Sequence, residues 1–444
     1  MQFDFNQADG ESHGTGFLAA CVIGMSDRIE VAAGAATLAG VRSGGVSRFC
    51  AIRYALPPTG QRRFEAPVAF PLAGRVDASR PGPIAPQLPS LLHRTIGAID
   101  APQSEDCLHL TVWTPGTDGA CRPVLVWFHG GAWQSGGAAL DWYDGAGLAR
   151  RGNIVVVGVN YRLGPLGWLY TEGAGGNQGL LDQELALQWV ADHIASFGGD
   201  PGNVTAMGQS AGGTCVAALL TRKPAFRRAI LQSAPLSRGF RSCAAAATLG
   251  RALLEAAGAP NMEAAKLLPV DRLLQAQHAP QVLEVQRALA DGRGPFCPVL
   301  DGRTLPRAFD ARAAAGVMDV LVGANRNEMA AFPGQGVNPE SDALGERLFG
   351  APARQWAAHA RASGRKAWAY RFDAAPSIRF GACHCIELPF VFGNLDAFSS
   401  APMLQGLDPG MADRLTGDVQ RAWLDFANGR EPPWRQSPYI HVFN

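Results

Sequence analysis

The stretch Val204-Thr-Ala-Met-Gly-Gln-Ser-Ala-Gly-Gly-Thr-Cys-Val-Ala-Ala-Leu-Leu220 decides the fold, because it carries three structural instructions in succession. Val204–Met207 is a short apolar run, as expected of a strand covered on both faces. Gly212–Leu220 is apolar throughout and reads as a buried helix. Between them lies Gly208-Gln209-Ser210-Ala211-Gly212. A Gly-x-Ser-x-Gly pattern alone is a weak signal. Flanked by strand and helix, it specifies a sharp turn that lifts the serine out at the C-terminal edge of a sheet. Glycine at either side lets strand and helix approach closely, and the serine takes a strained backbone conformation.

Outward from this turn, the same alternation repeats. His109–Trp113, Pro123–Phe128, Asn153–Val159, Arg228–Gln232, Val320–Val322 and Ala367–Phe372 read as strands. Gly179–Phe197 is an amphipathic helix, with Leu181, Leu185 and Trp189 at four-residue spacing. Strand, crossover and strand in repeated order give an α/β fold, a mostly parallel central sheet with helices on both faces. Before it, Ile29–Tyr54 reads as twisted hairpins, and residues 57–90, rich in Pro and Arg, as a loop along the surface. Residues 1–28 are expected to be an extension outside the core, and 29–444 a single domain with a lid-like helical segment at about 244–290.

Composition narrows the function classes. The 444 residues carry 39 Lys+Arg against 38 Asp+Glu, a net charge of +1. That balance offers no electrostatic case for nucleic acid or an anionic membrane as partner. Apolar residues at 47% and charged ones at 17% mark a core-forming chain. No apolar run reaches the length of a membrane span. The apolar stretch Phe17–Met25 lacks the positive flank of a signal peptide. The nine cysteines are odd in number, so they cannot all pair within one chain. The expectation is a soluble cytoplasmic protein. Cys383-His384-Cys385 is the one close grouping of metal-type ligands, and no second cluster accompanies it, so no metal is expected.

A serine hydroxyl needs a base to take its proton. On this architecture the chain order is serine, acid, histidine. His359, His384 and His441 lie far enough along the chain. His359 falls in the Ala-rich segment Ala351–Ser363, read as a solvated helix face, and His441 in the terminal strand Tyr439–Phe443. His384 sits on a loop beyond strand Ala367–Phe372, between small residues that let an imidazole reach over the sheet edge. It is the candidate base. Glu328, just past strand Val320–Val322, is the candidate acid, with Asp373 the runner-up; Asp319 precedes the strand and points to the wrong end. His129-Gly130-Gly131-Ala132-Trp133 follows strand Pro123–Phe128 directly. The N–H groups of Gly131, Ala132 and Ala211 would form an oxyanion hole.

These motifs in this order resemble the type-B carboxylesterase and cholinesterase family of the α/β-hydrolase fold. The resemblance runs from Ile29 to Phe443 and rests also on Ser104-Glu-Asp-Cys-Leu108, Asn160-Tyr-Arg-Leu-Gly164, Gly176-Asn-Gln-Gly-Leu-Leu-Asp-Gln183, Phe197–Thr205, Pro295–Asp301 and Gly381–Asn394. It implies hydrolysis of a small-molecule ester through an acyl-serine, with Ser210, Glu328 and His384 as triad and no cofactor. Acyl transfer or lactone chemistry on the same triad is the alternative; a non-catalytic binding module is a minor one. Oligomeric state is not readable. The resemblance also implies ion pairs Arg63–Glu105 and Arg162–Asp182. Three positions depart from the family: Gln209 replaces a frequent Glu, Cys385 a Gly after the histidine, and Met329 a Gly after the acid. The loss of charge at Gln209 weakens any case for a cationic substrate. Family members commonly bridge the cysteine at 107 to one upstream, where this chain has Ala85, so Cys107 is expected to be a buried free thiol. Only residues 329–383 separate acid from base, which implies a short lid and an open pocket walled partly by Ala244–Ala290.

Overall fold

The protein is described here by a computed structural model covering residues 27–290 and 292–444. The expected extension therefore lies outside the described residues, except that Asp27 and Arg28 already open the first strand. Among the described residues the main sheet holds twelve strands. They are β1 Asp27–Ala33, β2 Ala35–Ser43, β3 Val46–Arg53, β4 Ala73–Asp77, β5 His109–Thr114, β6 Arg122–Phe128 and β7 Val155–Val159, then β8 Gly199–Gln209, β9 Arg228–Gln232, β10 Asp319–Asn325, β11 Ala367–Phe372 and β12 Ile440–Phe443. Their spatial order is β1-β2-β3-β5-β7-β6-β8-β9-β10-β11-β12, with β4 paired to β2. From β7 to β12 every pairing is parallel, whereas β1, β2, β3, β5 and β7 pair antiparallel in succession. This is the α/β-hydrolase arrangement.

The continuous apolar runs have a direct cause. Side chains alternate between the faces of a strand, and here both faces are covered. Val124, Val126 and Phe128 of β6 enter one core, together with Val204 and Ala206 of β8. Leu125 and Trp127 of β6 and Met207 of β8 enter the core on the other face. The apolar helix Ala211–Leu219 is buried along its whole length. The surface-loop reading of residues 57–90 needs correction at two places. Residues 73–77 pair with β2 as a strand, and Ile84–Gln87 is buried and leads to Leu88–Leu92 at the rim of the functional pocket.

Two ion pairs, one buried and one partly buried, fasten the loops to this frame. Arg162 donates from Nε to Asp182 Oδ2 at 2.8 Å and from Nη2 to Oδ1 at 2.7 Å, with neither side chain more than 3% exposed. Arg63 grips Glu105 at 2.7 and 2.5 Å. Its third nitrogen, Nη1, donates to the carbonyls of Lys266 and Leu268 at 2.9 and 2.6 Å, which ties the lid segment to the body. Cys107 is a fully buried free thiol, and burial pushes its pKa far up. Asp182→Ala leaves the Arg162 guanidinium uncompensated in the interior. It is expected to lower unfolding stability by about 3–5 kcal/mol in urea titrations. Glu30→Ala, which breaks the solvent-exposed pair with Arg75, should change it far less. Equal losses would show that the buried pair carries no special weight.

Candidate active site

β8 delivers Ser210 to the C-terminal edge of the sheet, and the helix Ala211–Leu219 starts at the next residue. The turn is as tight as glycine permits. A Cβ on Gly212 would lie 2.0 Å from the Phe128 carbonyl oxygen, and one on Gly208 would lie 2.4 Å from the Gly212 carbonyl carbon. Ser210 itself is held at φ 54°, ψ −121°, a conformation that non-glycine residues rarely adopt. Its side chain thereby faces the pocket instead of continuing either element.

Glu328 and His384 follow β10 and β11, the second and third strands beyond β8 in the sheet. Glu328 follows β10 and is fully buried. Its Oε1 accepts the backbone N–H of Asn325 at 2.8 Å, and its Oε2 lies 2.5 Å from His384 Nδ1. That contact places the imidazole proton on Nδ1 and leaves Nε2 as the acceptor. The rings of Phe332 and Phe349 pack against the imidazole with centroids 5.3 and 5.2 Å away. Met329 is buried, and Gly345 from the helix Pro339–Gly345 packs on Glu328. The short segment after the acid is thus a run of helical turns that clamps the Glu328–His384 pair from one side.

The other candidates fall elsewhere. His359 lies on the helix Ala351–Ala362, half-buried with its Nδ1 out of contact with solvent, so the solvated-face reading is corrected. His441 stacks on Trp434. Asp373 pairs with Arg371 at 2.6 and 2.7 Å. Asp319 caps the Lys366 backbone N–H at the opposite end of β10.

Between Ser210 and His384 stands a residue whose role the sequence did not convey. Among the described residues no hydrogen bond joins the Ser210 hydroxyl to the imidazole; instead the Gln209 carboxamide Nε2 lies 3.2 Å from His384 Nε2 and donates to Cys385 Sγ at 3.2 Å. Cys385 takes φ 74°, in the glycine-favouring region. The family's frequent glycine there has a conformational reason, and here the thiol is anchored by Gln209.

The oxyanion loop is rigid for identifiable reasons. Gly131, Ala132 and Trp133 all have positive φ, at 111°, 55° and 60°. The N–H groups of Gly131 and Ala132 donate to no acceptor among the described residues. Ala211 opens a helix, where the first N–H groups have no intrahelical acceptor. His129 stacks on Tyr161 at 4.4 Å, and its carbonyl accepts the Tyr161 hydroxyl at 2.7 Å. Burial pushes its pKa down to about 4, so the ring is neutral near neutral pH. Gln87 exchanges two hydrogen bonds with the Gly136 backbone, at 2.8 and 2.7 Å, and Thr95 donates to the Ala331 carbonyl at 2.8 Å. These bonds fix the segment from Leu88 to Leu92 as a wall of the pocket.

That pocket encloses about 580 Å³, including space open to solvent. Gly131, Ala132, Gln209, Ser210, His384 and Cys385 form its floor. Leu88, Leu91, Leu92 and Phe332 give it an apolar side, and Gln134, Gln277 and His278 a polar one. Gln277 and His278 follow the lid helix Val270–Ala276, where a wall was expected.

Comparison with known proteins agrees with this fold. The pattern of the Carboxylesterase family matches residues 28–341. Phenmedipham hydrolase of Pseudarthrobacter oxydans is 35% identical over 92% of this chain and 92% of its own. Para-nitrobenzyl esterase of Bacillus subtilis (strain 168) is 37% identical over 88% of each. The solved structure of a thermophilic PNB esterase superposes with a TM-score of 0.82 at 32% identity, covering 93% of this chain and 94% of that one. The chain belongs to the carboxylesterase family, and it is a carboxylesterase-type hydrolase of small-molecule esters, with a serine mechanism as the family's general property. No helix of the described residues is long and apolar enough to cross a membrane.

Beneath the triad candidates lies a second carboxyl group that sequence reasoning passed over. Glu387 is fully buried, three residues after His384 in the same motif. It accepts from Gln232 Nε2 at 3.2 Å and from Asn325 Nδ2 at 2.7 Å. Burial, and then the charge of Glu328, raise its pKa above the ordinary 4.5. A carboxyl raised on folding binds its proton more tightly in the native state. Stability is therefore lost as pH climbs from the unfolded value through the folded one. In urea titrations between about pH 4.5 and 7, wild type should lose stability relative to Glu387→Gln as pH rises. A difference independent of pH would mean that Glu387 does not change ionisation across this range.

Proposed function

We propose that Ser210 is the nucleophile, His384 the general base and Glu328 its orienting acid, with Gly131, Ala132 and Ala211 donating to the oxyanion. The observation that carries this reading is the strained Ser210 backbone at the strand–helix turn. It shares one pocket floor with an imidazole whose Nδ1 is fixed on buried Glu328 at 2.5 Å. Ser210 Oγ attacks the ester carbonyl as His384 Nε2 takes its proton. The carbonyl oxygen, now negative, is met by N–H groups already held in place, so little reorganisation is needed when charge develops. His384 returns the proton to the leaving alcohol, and Glu328 stabilises the imidazolium in the meantime. Water then repeats the sequence on the acyl-serine. Catalytic hydrogen bonds are often long or misaligned without substrate. Gln209 and the Ser210 hydroxyl compete for the one lone pair on Nε2, so the Gln209 amide yields when the hydroxyl turns to the base.

The free thiols support a reducing compartment, the cytoplasm, as the site of action. The compact unit from β1 to β12 supports a single catalytic domain.

A fluorophosphonate should label Ser210, read by mass mapping of the adduct. Ser210→Ala and His384→Ala should each lower kcat/KM for an aryl ester by about 10⁴-fold or more, because a triad acts as a unit. His359→Ala should leave turnover close to wild type. Label on another residue, or turnover that survives Ser210→Ala, would overturn the assignment.

A further inference from the structure

An amide occupies the acceptor side of the proposed base. Gln209 ends β8, one residue before Ser210, and is 1% exposed. Its Nε2 lies between two acceptors, 3.2 Å from His384 Nε2 and 3.2 Å from Cys385 Sγ. The imidazole settles which way the amide points. Glu328 Oε2 holds the proton on Nδ1, so Nε2 of the neutral ring carries only a lone pair and has to face a donor. The amide nitrogen has two hydrogens, one for each neighbour. The bond to the ring exists for one protonation state alone. When the ring gains a proton, its Nε2–H meets an amide N–H and the bond is lost. A hydrogen bond made only to the neutral form of a group disfavours the charged form.

We propose that Gln209 is a positioning residue whose amide, anchored on Cys385 Sγ and donating to His384 Nε2, holds the base neutral in the free enzyme and extends ester hydrolysis to lower pH. The proposal rests on the catalytic reading above and adds a control on its base. Two carboxyl groups oppose the amide. Glu328 touches the ring, and Glu387 feels its charge; each favours the imidazolium when ionised. The remaining groups near the ring are neutral. Burial pushes up the pKa of the Cys383 and Cys385 thiols and of the Tyr143 and Tyr370 phenols. Phe332 and Phe349 pack on the imidazole as uncharged rings. His278 is the other histidine that lines the pocket. The glutamate frequent in the family at this position would, when ionised, accept instead of donate and so favour the imidazolium. Gln209 therefore reverses the sign of the effect at this position.

The test is the acid limb of kcat/KM against pH for phenyl acetate, an ester that does not itself ionise, with phenol quantified by chromatography. This profile reports the ionisation of the base in the free enzyme. The readout is the midpoint of the limb, so any loss of active enzyme in a variant cancels. Glu328, Glu387 and His278 are common to all variants, and differences between midpoints belong to residue 209. Gln209→Met keeps the length of the side chain and removes the donor. Its midpoint should lie about half to one pH unit above wild type, the worth of one neutral hydrogen bond. Gln209→Glu replaces the donor with an acceptor and should move the midpoint further in the same direction. An unchanged or lower midpoint in Gln209→Met would overturn the proposal. So would a shift confined to Gln209→Glu, which would assign the effect to charge alone. Fluorophosphonate labelling of Ser210 in the same preparations keeps a failure of this role for Gln209 distinct from a failure of the catalytic reading.

Discussion

The structure depends on a seam where backbone packs on backbone. β6 ends at Phe128 and β8 ends at Gln209, side by side and parallel, and the loops that leave them must cross at the sheet edge. No side chain fits in that crossing. A Cβ on Gly212 would strike the Phe128 carbonyl, and one on Gly130 would lie 2.4 Å from Gln209 Oε1 and 3.1 Å from the Ser210 Cβ. The close approach has two results at once. It forces Ser210 into its strained conformation, and it brings the free N–H groups of Gly131 and Ala132 to the same floor. Strain of this kind persists only where the surroundings over-determine it. Here the two buried cores on either face of the sheet supply that constraint.

The second feature is a polar cluster inside an apolar setting. Glu328, His384, Gln209, Glu387, Asn325 and Gln232 are all nearly or fully buried, and hydrogen bonds link most of them. Trp423 closes the far end by donating to Gln232 Oε1 at 2.9 Å. Burial first, and then the charge of Glu328, raise the pKa of Glu387, while Glu328 is the carboxyl group in contact with the imidazole. Low local dielectric strengthens each bond in the chain and penalises any gap, so the site is stiff where the chemistry needs registration.

Much of this was legible in the residues. The Ser210 turn, and the proposal of His384 before His359 and His441 and of Glu328 before Asp373, came from chain order and position relative to strands. The buried free thiol at Cys107 followed from Ala85. What escaped were residues whose importance depends on neighbours far along the chain. Residues 57–90 read as surface because their composition is that of a loop; Ile84–Gln87 is nevertheless buried, and two hydrogen bonds between Gln87 and Gly136 hold it against the pocket. Glu387 lay in a quoted motif, but its burial beside Glu328 has no local signal. His359 read as solvated because its own segment is Ala-rich, and only packing decided its exposure.

The sequence by itself determined the order of elements, the tight turn at the serine and the residues proposed as nucleophile, base and acid. Those are local matters: apolar periodicity, the glycines that a tight crossing requires, and the chemistry of individual side chains. The tertiary structure alone decided which lone pairs and protons meet. It set Gln209 against His384 Nε2 and placed Cys385 under that amide. Hydrogen bonds depend on distance and angle within fractions of an ångström. Those distances arise from the packing of segments that are remote in the chain, and no pattern along the chain encodes them directly.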